Sequence, residues 1–424
     1  MNTEPAMLIG DVPATSLAEE YGTPLYVYDA AAVRAAFGQI HAAVPYKPCR
    51  IHYACVANSN LAIMRLVRSL GGGIHANTWG DVVMALRAGF GPADLIYSGS
   101  NLGPEDIFNV LTHGIAINLS SLSQLRSYAS RLLEFEHGLA GGPNQALRRI
   151  GLRIHLEEHR PYSRMGVKIS EVDEAKEIAA EYGLDLIGVH YYRGTGTTST
   201  DHFLQPFPMF MAVARRFAPT LKYVDIGGGF GFQYVPSAPK QFEWERFGAQ
   251  LASMAEQLSA DVGRRVELVI EPGRSVVASA GFLLTRVIGV DKRAAGGQVA
   301  GVDTTTSHIS KEAYRVYGGY RRIALVSRVS PEEPIRTDVV GCTTFSDDYI
   351  GRAARRNRQD RGLVLPPLVE GDLLAVLDVG GYGFAFASNF LNRPRPAEVM
   401  VDNGEARLTR RRETYDDMLQ LQIY

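Results

Sequence analysis

Two strings in this chain are built to meet an anion. Asp225-Ile226-Gly227-Gly228-Gly229-Phe230 closes one apolar run. Three successive glycines let a backbone approach a phosphate closely, and their N–H groups can converge on it. Glu271-Pro272-Gly273-Arg274 closes the next apolar run, and its arginine offers a planar fork of donors that matches phosphate. Glycine-rich turns are commonly only turns. Together, at the ends of consecutive runs, the two strings point to one phosphate-bearing ligand. His75 and His190 also fall at run ends. An imidazole there could act as a base near neutral pH, or simply be a hydrogen-bonded core residue. The three cysteines, Cys49, Cys55 and Cys342, have no metal-ligand spacing, and no metal site is expected.

Such residues need a scaffold that brings run ends together. Short apolar runs at 51–54, 73–76, 95–98, 115–118, 150–154, 186–191, 223–227 and 268–271 alternate with amphipathic segments, for example 61–70, 79–88 and 171–182. Strand–helix units in this number predict an α/β fold, a (β/α)8 barrel with its chemistry at the C-terminal strand ends. After Arg274 the pattern changes. Segments 276–293, 321–329 and 373–379 read as strands of a second, mostly β domain, and the strand-like opening 24–29 is expected to pair into it. The expected boundaries are 1–30, 31–280 and 281–424, with a surface loop at 138–144. A length of 424 residues exceeds one ordinary core. A net charge of −1 gives no basic excess for nucleic acid or an anionic membrane. No stretch approaches a membrane span. Sparse, odd cysteines and the lack of a basic-then-apolar opening make the chain read as cytoplasmic.

The segment Tyr53-Ala54-Cys55-Val56-Ala57-Asn58 resembles the Tyr-Ala-x-Lys-Ala-Asn signature of the fold-type III decarboxylases that use pyridoxal 5'-phosphate (PLP). That group contains the diaminopimelate and ornithine decarboxylases. Both strings above match the same pattern, as do Gly380-Gly381-Tyr382-Gly383 and the stretch from Ser388 to Glu398; the likeness runs from Thr23 to about Val401. The resemblance implies an alanine-racemase-like barrel whose β-domain takes in the N-terminal strand. It implies that Glu271 pairs with the pyridine nitrogen, and that Thr195, Gly227, Gly228, Gly229, Gly273, Arg274 and Tyr382 belong to the cofactor cradle. It further implies a small amino acid or amine as substrate, and a homodimer whose shared sites are completed by the segment matching Thr344–Asp348.

The match breaks where bonds would be made. Val56 stands at the position of the lysine that forms an imine with the cofactor, and valine has no amine. Tyr192 replaces a stacking histidine; it can stack but cannot carry a proton at neutral pH as imidazole does. His75 replaces an aspartate and is the candidate base. Thr344 and Phe345 replace a proton-donating cysteine and its acidic neighbour, with Cys342 two residues away and on the same face if the strand is regular. Ser310 replaces an arginine that grips a substrate carboxylate. His190, Arg193, Tyr314 and Asp348 remain as candidate substrate contacts. Lys168, Lys222 and Lys311 are read as solvated rather than as substitute anchors. Three readings follow. The chain is a divergent decarboxylase-like enzyme that binds PLP, or a PLP–substrate aldimine, non-covalently. Or it is a catalytically silent homologue that binds PLP, another phosphorylated ligand or a partner protein. Or it is a PLP-independent enzyme reusing the phosphate cradle.

Overall fold

Eight parallel strands close into a ring in the computed structural model, which describes residues 7–138, 144–234, 242–294, 296–309, 321–351 and 363–423. Residues 139–143 of the expected loop, and Ser310, Lys311 and Tyr314, lie outside these. The chain divides into two compact units. One comprises Phe37–Gly231 and Lys240–Gly273, and the other Met1–Ala36, Phe232–Pro239 and Arg274–Tyr424.

Strand β1 (Leu25–Asp29) precedes the ring. The ring itself consists of β2 (Cys49–Ala54), β3 (Gly73–Ala76), β4 (Leu95–Tyr97), β5 (Ala116–Leu119), β6 (Arg149–His155), β7 (Asp185–His190), β8 (Tyr223–Asp225) and β9 (Glu267–Ile270). Each pairs in parallel with the next; β9 returns to β2, and β6 pairs with β7 to complete the closure. The apolar runs of the sequence are these strands. Helices cover them outside and side chains fill them inside, so their sequences are nearly continuously apolar. Helix termini are locally encoded. Thr78 and Asp81 form a reciprocal capping box at the start of helix Trp79–Ala88, and Gly89 ends that helix in the left-handed region.

The barrel interior is organised around Tyr223. Its hydroxyl donates to Asn118 Oδ1 (2.6 Å), and Asn118 Nδ2 donates to Ser98 Oγ (3.1 Å). The ring lies where neighbouring strands carry glycine: a Cβ on Gly188 would come within 2.0 Å of it, and one on Gly151 within 2.1 Å of its hydroxyl. Gly188→Ala is therefore expected to destabilise the fold by about 3 kcal/mol, the upper end of ordinary overpacking, read as a lowered urea midpoint.

The second unit is a mostly β sheet. Its long strand β10 (Gly281–Lys292) pairs antiparallel with β1, with β11 (Gln298–Val302) and with β12 (Leu373–Val376). Strand β13 (Ala397–Asp402) runs parallel to β1 on its other side. The N-terminal strand thus lies within the C-terminal sheet. Leu25, Val27, Leu284, Leu373, Val399 and Val401 form its buried core. The expected strand 276–293 begins later than its apolar character suggests, because Arg274–Val277 form a helical turn. Val276, Val277 and Ala278 are apolar because they are buried, not because they alternate. Among the described residues no helix is long and apolar enough to cross a membrane.

Candidate active site

Strand ends on the barrel deliver five ionisable side chains to one place. Asp225 ends β8, Glu271 follows β9, His190 ends β7, and His75 and Arg153 lie within the last residues of β3 and β6. All are buried: Asp225 is 0 %, His190 1 %, Glu271 2 %, and His75 and Arg153 each 7 % exposed. His75 Nε2 lies 3.3 Å from Glu271 Oε1, and His190 Nε2 lies 3.5 Å from Glu271 Oε2. The two imidazoles stack with ring centroids 6.2 Å apart. These approaches are close but not aligned as hydrogen bonds. Both nitrogens of His75 and of His190, Glu271 Oε1 and Asp225 Oδ2 are enclosed without a hydrogen-bond partner.

Burial sets the charge states. It pushes Glu271 up to about 7, against the opposing effects of Asp225 and Arg153. It pushes Asp225 well above the usual carboxylate range, helped by the nearby Glu271, while the Gly227 N–H, donating to Oδ1 at 2.9 Å, opposes this. The acid pair therefore retains a proton at neutral pH. Burial pulls His75 well below its ordinary value, assisted by His190, Arg153 and His52, and pulls His190 down to about 4. Both imidazoles are neutral at pH 7, so their contacts with Glu271 are dipolar rather than ionic.

His52 lies inside the same barrel, and burial lowers it to about 4, with Arg50 adding to the effect. A depressed histidine contributes stability that is present above the unfolded value near 6.5 and is lost as pH falls through 4. Wild type is expected to lose up to about 3 kcal/mol more than His52→Asn between pH 7 and pH 4, read from urea unfolding at each pH.

Sequence reasoning does not single out Arg153 and gives Asp225 no role of its own. Arg153 sits 5.4 Å from the centre of the Tyr192 ring, with no hydrogen bond or ion pair to another described residue, and its Nε is fully enclosed. Its signal is a buried cation between Leu152 and Ile154 in the strand; that of Asp225 is its place at the head of the glycine string. Arg160 lies 5.2 Å from the same ring and donates from Nη1 to the Tyr192 carbonyl at 3.2 Å. Tyr192 and Thr195 are hydrogen-bonded through their hydroxyls. His190, Asp225 and Glu271 also bring ligand atoms within 4.8 Å of one another, a metal-like spacing that the sequence does not suggest. The positive charge of Arg153, close enough to act on both acids, opposes a divalent cation there.

The glycine triplet is shaped by its neighbours. Gly227 and Gly229 have φ of +67° and +100°. A Cβ on Gly228 would lie 2.1 Å from the Glu271 carbonyl oxygen, and one on Gly229 1.8 Å from that of Gly194. Glu271 N donates to Gly227 O (3.0 Å), which locks the carboxylate strand to the triplet. Val56 lies on a single helical turn, Cys55–Ala57, after β2, and is 43 % exposed. Ala54 N donates to Pro272 O (3.1 Å), so this turn is anchored to the chain just after Glu271. Lys168 pairs with Glu157 at 3.7 Å, and Lys222 is exposed where β8 begins, the strand end opposite Asp225.

In the second unit Arg274 Nη1 donates to the Tyr234 hydroxyl (2.6 Å), and the guanidinium lies 4.3 Å from the centre of the Tyr382 ring. The structure thus brings Arg274 and Tyr382 together, with Tyr382 at φ +62°. It engages other expected residues elsewhere. Asp348 is buried and accepts from Thr305 Oγ1, Thr306 N, Thr343 N and Thr343 Oγ1. Cys342 donates to the Asp303 carbonyl (3.4 Å) and accepts from Arg393 (3.0 Å); burial raises its thiol. Residues 341–345 are not a strand, so the alternation expected to align Cys342 with Thr344 does not operate there; Thr344 is exposed. In the barrel, Arg193 donates to the His202 and His159 carbonyls and to the His202 ring, tying down its own loop.

The family model for the pyridoxal binding domain of pyridoxal-dependent decarboxylases matches residues 30–278. A diaminopimelate decarboxylase of Methanothermobacter thermautotrophicus is 32 % identical, over 99 % of this chain and 96 % of its own. One from Pseudomonas aeruginosa is 32 % identical over 96 % and 94 %. The crystal structure of the diaminopimelate decarboxylase from M. jannaschi superposes with a TM-score of 0.86 at 25 % identity, covering 98 % of this chain and 96 % of that one.

Proposed function

We propose that this chain, which belongs to the pyridoxal-dependent decarboxylase family, binds PLP without a covalent bond and acts as a carboxy-lyase-like enzyme on a small amino acid or amine. One observation carries the reading: a buried acid and a buried guanidinium, Glu271 and Arg153, lie at the barrel strand ends with Glu271 Oε1 and Arg153 Nε unpartnered, in a chain whose Val56 has no amine. An enclosed acid and cation without partners are costly, and a ligand carrying both a protonatable ring nitrogen and an anionic oxygen would satisfy both. When bound, PLP supplies the electron sink.

The protein residues have separable tasks. Glu271 holds at its carboxyl the proton that a pyridine nitrogen takes up, and Asp225 keeps that acid pair protonated. Tyr192 presents a flat ring, oriented by Thr195 and by the two arginines beside it. Within the barrel unit, Gly227, Gly228, Gly229, Gly273 and Thr195 are the residues assigned to the phosphate. His75, neutral and with neither ring nitrogen hydrogen-bonded, serves as proton acceptor through its unprotonated nitrogen where the lysine is lost; proton transfer of this kind is worth about 10²–10⁴-fold. The reading includes a homodimer in the cytoplasm. The exposed Phe345, Phe386, Phe390 and Leu391 and the free cysteines support it.

A second reading, a catalytically silent homologue that binds PLP or another phosphorylated ligand, is favoured by the second unit: the thiol of Cys342 and the carboxylate of Asp348 are already engaged. Titration of the purified protein with PLP, followed by absorbance, together with a panel of basic and dicarboxylic amino acids assayed for carbon dioxide release, separates the readings. Saturable, dialysable binding with release from some member of the panel is the expected result. Binding without release on any of them favours the silent homologue, and no binding of PLP overturns the first reading and leaves the silent homologue only a different phosphorylated ligand.

A further inference from the structure

We propose that Arg160 is a specificity-determining residue that receives a second carboxylate, so that the substrate is an amino acid with an acidic side chain. This rests on the reading above, in which an amino acid meets PLP at the barrel strand ends.

Three guanidinium groups gather around Tyr191 and Tyr192. Arg153 and Arg160 lie over the Tyr192 ring, and both they and Arg193 act on the buried Tyr191 phenol. Among the described residues none of the three makes an ion pair. Several other arginines of the barrel are matched to carboxylates, among them Arg126 to Glu174, Arg148 to Glu136, Arg215 to Asp261 and Arg216 to Asp173. The acids nearest to Arg153 are Asp225 and Glu271, which retain a proton between them. The strand ends therefore carry a surplus of positive charge. Like charges held together in a partly desolvated place are costly unless a ligand brings the opposite sign.

The three arginines differ in what they can still offer. Arg193 spends its Nε, Nη1 and Nη2 on the His202 and His159 carbonyls and the His202 ring, so it contributes charge rather than a contact. Arg153 is buried beside the acid pair. Arg160 is half-buried, is held against the Tyr192 ring, and uses Nη1 on the Tyr192 carbonyl; its Nε and Nη2 remain without a partner among the described residues. An oriented guanidinium with an unused pair of donors suits bidentate capture of a carboxylate. A basic side chain would find the reverse. The carboxylates inside the barrel are buried and share a proton, and Glu157 on the following loop is paired with Lys168.

The test uses three stable probes in equilibrium binding to the whole chain: pyridoxamine 5'-phosphate, N-(5'-phosphopyridoxyl)-L-glutamate and N-(5'-phosphopyridoxyl)-L-lysine. The glutamate conjugate is expected to bind about ten-fold or more tighter than the lysine conjugate, one charge-assisted contact in size. Arg160→Gln should bring the two to within about two-fold, and Arg160→Lys should restore part of the preference. Equal or tighter binding of the lysine conjugate by wild type, or a preference unchanged in Arg160→Gln, would overturn the inference while pyridoxamine 5'-phosphate still binds. Failure of all three probes to bind would overturn the cofactor reading and this inference with it.

Discussion

A Val56→Lys variant saturated with PLP is expected to carry the cofactor covalently, as a borohydride-stable adduct confined to the tryptic peptide that contains the substituted position, where the parent chain carries none. This position has what an anchor needs. Val56 is 43 % exposed on a short turn after β2, so a longer side chain can be accommodated without overpacking the core. Ala54 N, bonded to Pro272 O, anchors the same turn to the chain beside Glu271. Decarboxylation, where the parent has it, should rise by about 10²–10⁴-fold, the usual size of a restored proton-transfer group. The adduct is checked by peptide mass and the rate by single-turnover carbon dioxide release. A covalent adduct without a gain in rate would assign the remaining deficit to Thr344 and Phe345. Tight binding of PLP with no adduct would mean that the turn bearing Val56 does not face the ligand.

The second large effect has opposite signs in two measurements. Glu271→Gln is expected to weaken PLP binding by about 10–100-fold, the worth of one charge-assisted hydrogen bond in a buried site. In the ligand-free protein the same change should raise stability at pH 8. Burial lifts the folded-state value of Glu271 from its ordinary 4.5 to about 7. A raised acid is accommodated fully below the unfolded value and costs stability as pH rises through the folded one. At pH 8 wild type holds that buried charge, and glutamine does not. The gain is on the order of 1–3 kcal/mol, shared with Asp225 because the two acids titrate together, and it should vanish below pH 4.5. Thermal melts of both proteins at pH 8 and pH 4.5, with a PLP titration at pH 7.5, check the prediction. A variant less stable than wild type at pH 8, or one that binds PLP equally well, would remove Glu271 from the role of ring partner.

The barrel can be read from the sequence because each strand is buried on both faces and announces itself as a short apolar run. The run at 268–271 and strand β9, Glu267–Ile270, differ by one residue. The glycine string is equally legible, since close backbone packing against Gly194 and Glu271 tolerates nothing larger. What escapes is set through space. Arg153, Asp225 and Glu271 come from three strands far apart in the chain, and neither the coupling of the two acids nor the lack of a partner for the guanidinium has a local sequence mark. The expected alternation of Cys342 and Thr344 fails for a different reason: β-propensity in the stretch before residue 341 does not continue past Gly341, where Asp348 folds the loop back on itself through Thr343.

The central claim is that the barrel grips a pyridoxal phosphate-shaped ligand without bonding to it. Intact-mass measurement of the unmodified protein, saturated with PLP and treated with borohydride, tests this most directly. An unchanged protein mass is expected, with the cofactor recovered in the filtrate after denaturation as pyridoxine 5'-phosphate, its free aldehyde reduced by the borohydride. A stable adduct on any side chain, with Lys168, Lys222 and Lys311 the first to inspect, would contradict it.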